Sequence, residues 1–219
     1  MKRLALCLLA MAVVPCTAFA QDGPDGEANL NVHVLAADFT GEPCNAAGLV
    51  DGQDCSNISH AGVVGPTFLA VVASNINGWV GDGGVGNGIN GIQFGVEHAG
   101  LTIQTWFPCA DQQVPQNDTD GVWPDSGTGN ALAWAACQDP GGENITVGIF
   151  LVTDGSAGSM SITADPRVGA ELAAYTDCDA FTWEILGLNG VDLAGGTEPG
   201  CGPIVPTQEK SWGEIKALY

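Results

Sequence analysis

The stretch NDTDGVWPD gathers Asn117, Asp118, Asp120 and Asp125 around Gly121. Hard carboxylate and amide oxygens crowded into a glycine-containing turn are the ligand type that calcium takes. The EF-hand pattern is not met. With Gly121 as its glycine, Gln116 would be the first loop position and Gly127 the twelfth, where acidic ligands are required. The stretch is a calcium candidate of irregular type, set against the ordinary reading of an acidic, solvated turn. No other cofactor is expected.

Tryptophans are the second set of side chains able to make a site. Exposed indoles stack on sugar faces, while buried ones fill cores. Trp79 and Trp123 lie in Gly/Asp-rich loops and Trp106 at the end of an alternating run, so these three are the ligand-binding candidates. Trp134 and Trp183 sit inside strand patterns and read as core. Nucleophilic catalysis is less well supported. PDSGTG places Ser126 between small residues, but His33, His60 and His98 have no context that marks a general base. DGSAG does not satisfy G-x-S-x-G, because Gly155 directly precedes Ser156. G-x-G-x-x-G occurs twice, from Gly81 and from Gly86, yet a period-2 run follows instead of the helix whose amides would hold a phosphate. Nothing singles out a glycosidase-type pair among the 25 acidic residues. The expectation is a binding module and not an enzyme. A glycan-binding module using the loop tryptophans, with or without calcium, is the second reading. A hydrolase whose acids are not marked by sequence is the third.

Export is written into residues 1–20. Lys2 and Arg3 precede the apolar run Leu4–Val14, and Ala18 and Ala20 supply the small-x-small cleavage pattern of a signal peptide. Pro15 before Cys16 does not fit a lipobox. No later run is long and apolar enough to span a membrane. Loss of Lys2 and Arg3 moves the formal charge from −20 to −22. Such a surface repels nucleic acid and anionic lipid, which leaves an extracellular protein or a glycan as partner, with the chain secreted or at the cell surface.

Cys44, Cys55, Cys109, Cys137, Cys178 and Cys201 remain after cleavage. An even number on an exported chain reads as three disulfides, with 15 possible connectivities. Nearest-neighbour pairing (44–55, 109–137, 178–201) would close three modest loops, each worth roughly 2–4 kcal/mol. No C-x-x-C or Cys/His cluster points to zinc. The sequons at Asn57, Asn117 and Asn144 matter only in a host that glycosylates them.

The elements that must position these residues are strands. After a polar leader (residues 21–28), NLNVHVLA alternates, with Leu30, Val32 and Val34 inward and Asn29, Asn31 and His33 outward. GPTFLAVVAS is apolar on both faces, as a central strand is. INGIQFGVEHAGLTIQTWF reads as a β-hairpin turning at HAG. Ile92, Phe94 and Val96 line one arm; Leu101, Ile103 and Thr105 line the other, opposite Trp106. CADQQVPQNDTDGVWPDSGTG reads as a long loop, and NALAWAAC, ITVGIFLVTD, SMSITAD and AFTWEIL as four more strands. RVGAELAAY (residues 167–175) suits two helical turns. Short strands separated by Gly, Pro, Asp and Asn mean an all-β fold, an antiparallel sandwich over residues 29–200.

GINGIQFGVEHAGLTIQTW resembles a strand pair found in cohesin-like and carbohydrate-binding-module-like β-sandwiches, with His98 and Ala99 where that pattern carries tyrosine and aspartate. The resemblance implies a nine-strand, jelly-roll-like or cohesin-like sandwich and a binding role, and it assigns no binding residue. Residues 201–210 form a Pro/Gly-rich linker into KSWGEIKALY. Ser211 and Glu214 make a capping box, so a short C-terminal helix is expected over 211–219. Trp212, Ile215, Leu218 and Tyr219 then share a face, and Lys216 lies in the last turn. The pattern W-G-x-I-K-x-L-Y resembles a tail carried by unrelated secreted proteins of uncultured bacteria, which implies a partner that reads it for sorting or attachment.

Overall fold

The computed structural model describes residues 28–35, 44, 64–74, 76, 88–116, 123–138, 144–168 and 173–195. The signal segment, the leader up to residue 27, Trp79, most of the glycine-rich loop, Asn117, Asp118, Asp120, Cys55, Cys201, the linker and the tail residues Trp212, Ile215, Lys216, Leu218 and Tyr219 lie outside them.

Two sheets face each other across one apolar core. Sheet B runs in the order β11 (Gly187–Leu188), β1 (Asn29–Val34), β2 (Thr67–Ser74), β7 (Asn144–Val152) and β4 (Ile103–Pro108). Sheet A runs β10 (Thr182–Ile185), β9 (Ala173–Thr176), β3 (Ile89–Ala99), β6 (Thr128–Gln138) and β5 (Gln112–Pro115), with β8 (Ser159–Thr163) joining β3 and β12 (Gly190–Asp192) joining β8. Pairing is antiparallel apart from β1 with β11. The all-β sandwich expected from the strand pattern is the observed architecture. GPTFLAVVAS is a central strand, paired on both sides and apolar on both faces.

The expected hairpin is not a hairpin. β3 pairs with β6, β8 and β9 in sheet A, whereas β4 pairs with β7 in sheet B, so residues 100–102 carry the chain across the core. Gly100, at φ +70°, makes the corner, and an added Cβ there would meet Gly158. Alternation tells which side of a strand is apolar; it does not tell whether the next strand lies beside it or opposite it. A register shift between Ile103 and Thr105 then sets two β4 residues against one in β7. That bulge reverses the expected facing and swings Trp106 into the core.

Three further expectations change. Asn29, Asn31 and His33 are buried, because sheet B is covered on both faces. A second apolar cluster of Leu35, Ala70, Val72 and Ile149 lies on its outer side. There Asn31 is bonded on both sides of its amide: its Nδ2 donates to Ser74 Oγ at 3.2 Å, and Asn189 Nδ2 donates to its Oδ1 at 2.9 Å. The long loop after Cys109 contains β5, paired to β6. RVGAELAAY is not helical in its described parts: Pro166–Val168 is a 3-10 turn and Ala173–Thr176 is β9. Its alternating AAY fits a strand whose Ala173 and Tyr175 face the core.

The disulfides join Cys44 to Cys109 and Cys137 to Cys178, sequence separations of 65 and 41. Nearest-neighbour pairing is therefore not the pattern. The strand crossing between sheets brings sequence-distant ends together and parts the near ones. Longer loops also constrain the unfolded chain more.

Trp106 lies over Gly148 of β7, where a Cβ would collide with its six-membered ring and with Phe107 O. Gly148→Ala is expected to destabilise the fold by about 1–3 kcal/mol through overpacking. The check is urea unfolding, with an unchanged m-value.

Candidate functional site

Of the three tryptophans picked as ligand-binding candidates, the two that are described are buried. Trp79 is outside the described residues, and Trp106 and Trp123 are 8% and 3% exposed. Their rings stand 5.1 Å apart at 71°, and both contact Phe150, at 4.3 Å and 5.6 Å. Trp123 also meets Phe94 edge-on at 5.7 Å. Neither indole has a free face for a sugar, so the role read from their loop and strand-end positions is corrected to a packing role.

The loop holding Trp123 is stitched down by the residues that follow it. His98 N donates to Ser126 Oγ at 2.9 Å, and Ser126 Oγ donates to His98 O at 3.0 Å. Gly127 N donates to Val96 O at 2.8 Å, and Thr128 Oγ1 to Asp125 O at 2.6 Å. His98 Nε2 faces Pro124 O at 3.3 Å. The fold thus brings Ser126 and His98 together, but the hydroxyl is engaged with backbone and the imidazole is turned to a carbonyl. These contacts fasten the end of β3 to the start of β6.

The described carboxylates do similar work. Asp111 accepts from Ala135 N at 2.7 Å, and Asp192 from Ala194 N and Gly195 N. Asp154 accepts from Ser156 N at 2.9 Å and Gly65 N at 3.1 Å. The bonds from Ser156, backbone first, hold the Asp154 carboxyl below the usual carboxylate range, with the Gly65 amide adding to the effect. Asp177, 1% exposed, accepts from Asp179 N, Phe181 N and Trp183 Nε1, the last at 2.7 Å. It organises a turn in which Ala180 sits at φ +66°. Asp125, the described member of the calcium candidate, is exposed, and no group of three or more His, Cys, Asp or Glu able to hold a metal occurs among the described residues.

What the structure does present is an open sheet face. On the outward side of sheet A, cross-strand register aligns Glu184, Ala174, Gln93, Ala131 and Val114 in one row. Thr182, Thr176, Gly91, Ala133 and Gln112 form the next. Five strands make this face about 19 Å wide. Apart from Glu184, Gln93 and Gln112, its side chains are short. Ala133, Ala135 and Gln112 are exposed, and Val114 is 62% exposed. The segment after β8 closes one end. Ala164 O lies over Gly95, and the Asp165 carboxylate fills the space beside Gly129. Arg167 is clasped by Asp165 and donates from Nη1 to Val114 O at 2.6 Å, capping the edge of β5. Asp111 and Glu184 place carboxylates at opposite sides of the open part. Sequence reasoning did not find this face. Its signal is the odd-numbered alanines of NALAWAAC, which alternate with Leu132 and Trp134.

Asp177→Ala would leave Trp183 Nε1 buried without its acceptor. A loss of about 2–3 kcal/mol is expected from thermal or urea unfolding.

No protein-family model matches this sequence, and no curated protein matches it. Among solved structures, the chain is similar to a cohesin module from a Clostridium perfringens family 33 glycoside hydrolase, at 10% identity and a TM-score of 0.43, over 76% of this chain and 94% of that one.

Proposed function

We propose that this chain is a secreted, non-enzymatic binding module that docks an extracellular protein on the outward face of sheet A. The observation that supports this reading is the contrast between the two sheets. The outer side of sheet B is buried, with Asn31 at 1% and His33, Ala70, Val72 and Ile149 at 0% exposure. The outer side of sheet A is half-buried to exposed, with Val114 at 62% and Ala133 and Gln112 exposed. A flat sheet of short side chains suits a protein surface better than a sugar, which favours aromatic platforms and grooves. The net charge of the exported chain favours a partner with a cationic surface.

The test is retention of the purified protein by the extracellular protein fraction of its source. Ala133→Arg puts bulk and positive charge in the middle of the face without touching the core. It is expected to weaken retention roughly tenfold, the effect of losing a central interface contact, with the thermal midpoint unchanged. Chelator-sensitive binding on a glycan array, with no effect of Ala133→Arg, would replace this reading with the carbohydrate-binding one.

Export also bears on the cysteines. With Cys44–Cys109 and Cys137–Cys178 formed, Cys55 and Cys201 are left for each other, giving the third disulfide of an exported chain. Non-reducing peptide mapping of the secreted protein is expected to recover a Cys55–Cys201 peptide. Free thiols at both positions would remove that bridge from the proposal.

A further inference from the structure

We propose that one water molecule is bound inside the sandwich between Trp123 Nε1 and Asn130 Oδ1, where it ties the loop before β6 to β6 from within.

The site is defined by groups that can only donate. An indole N–H has no acceptor role. Trp106 Nε1 donates to Gln113 Oε1 at 3.1 Å, which sets the Gln113 amide with its oxygen inward. That oxygen takes a second bond, also at 3.1 Å, so the Asn130 atom turned to it is the donor Nδ2. The other end of the Asn130 amide is then an acceptor, Oδ1, and it has no hydrogen-bond partner among the described residues. Trp123 Nε1, a donor only, likewise has none there. Asn130 is 0% and Trp123 3% exposed, so bulk solvent serves neither.

The two groups share one neighbourhood. Asn130 is the cross-strand partner of Phe94, and Trp123 meets Phe94 edge-on at 5.7 Å. Gln113 links Asn130 to Trp106, whose ring stands 5.1 Å from that of Trp123. A buried donor and a buried acceptor left without partners are each costly. One molecule that accepts from the indole and donates to the amide satisfies both. The rings around it are in ordinary contact, with centroids 4.3–5.7 Å apart, so that molecule is small. Water is both donor and acceptor, and two polar partners suffice to hold it in a core. Gln113, exposed on the edge strand β5, marks its way in. Ser126 stitches the Trp123 loop to β3 on the outside, and the water stitches it to β6 on the inside.

The test is NMR of the full-length exported protein carrying isotope-labelled tryptophan, with Trp123→Phe assigning the Trp123 indole signal. The Trp123 indole proton is expected to show a cross-peak to water, with the sign of a water that tumbles with the protein, and slow exchange into deuterated solvent. Asn130→Leu has the same branching and no acceptor, and it should lose that cross-peak. A wild-type indole without the cross-peak overturns the inference, since a protein acceptor then serves Trp123. A cross-peak that persists in Asn130→Leu also overturns it, because other groups then hold the water. Should Asn130→Leu fail to fold, a crystal structure of the wild-type protein decides. A water within hydrogen-bond distance of both atoms supports the site, and a water on one of them alone, or on neither, removes it.

Discussion

The packing of Trp106 against Gly148 is the contact on which the rest of this sandwich depends. Trp106 enters the core only because a bulge in β4 turns it inward and because β7 carries no side chain at position 148. Once there, it meets Trp123 and Phe150, and Trp123 extends the contact to Phe94 in the opposite sheet. Four rings thus join β4, β7, β3 and the loop before β6. Each ring buries about 150–250 Å². Truncating one such ring to alanine costs about 3–5 kcal/mol, a large share of the 5–15 kcal/mol by which a domain is stable.

The same economy of local means governs the acidic residues. A chain of formal charge −20 would be expected to repel itself. Many of its described carboxylates are nevertheless specific acceptors of backbone amides in turns, as at Asp111, Asp154, Asp177 and Asp192. Asp165 goes further and holds Arg167, which in turn caps the exposed edge of β5 through Val114 O. An edge strand with a free carbonyl is a template for unwanted pairing, and a guanidinium placed on it blocks that route. Ser126 and these described carboxylates hold loops onto strand ends.

The two sheets then differ in what they offer outward. Sheet B carries Ala70, Val72 and Ile149 on its outer side and hides them. Sheet A carries alanine, threonine, glutamine and glycine and shows them. An apolar surface left in water is costly, whereas a surface of short and polar groups is tolerated, so the open face must be the one with little to bury.

By itself, the sequence determined the all-β class, most of the strands and, outside the bulged β4, which face of a strand meets the core. The alternation of Ile92, Phe94 and Val96, or of Leu132 and Trp134, follows from the pleat alone. It also determined the chemistry available to the candidate site, since the small residues that keep the face flat are visible in NALAWAAC. It did not show the face as a site, because flatness is a property of strands side by side. Tertiary structure alone decided which strands are neighbours. INGIQFGVEHA and IQTWF are each amphipathic, and the same pattern serves a hairpin or a crossing between sheets. That choice decided the disulfide partners, through the ends it brought together. It also sent Trp106 and Trp123 inward, because burial depends on what lies across the core and not on the residues adjacent in the chain.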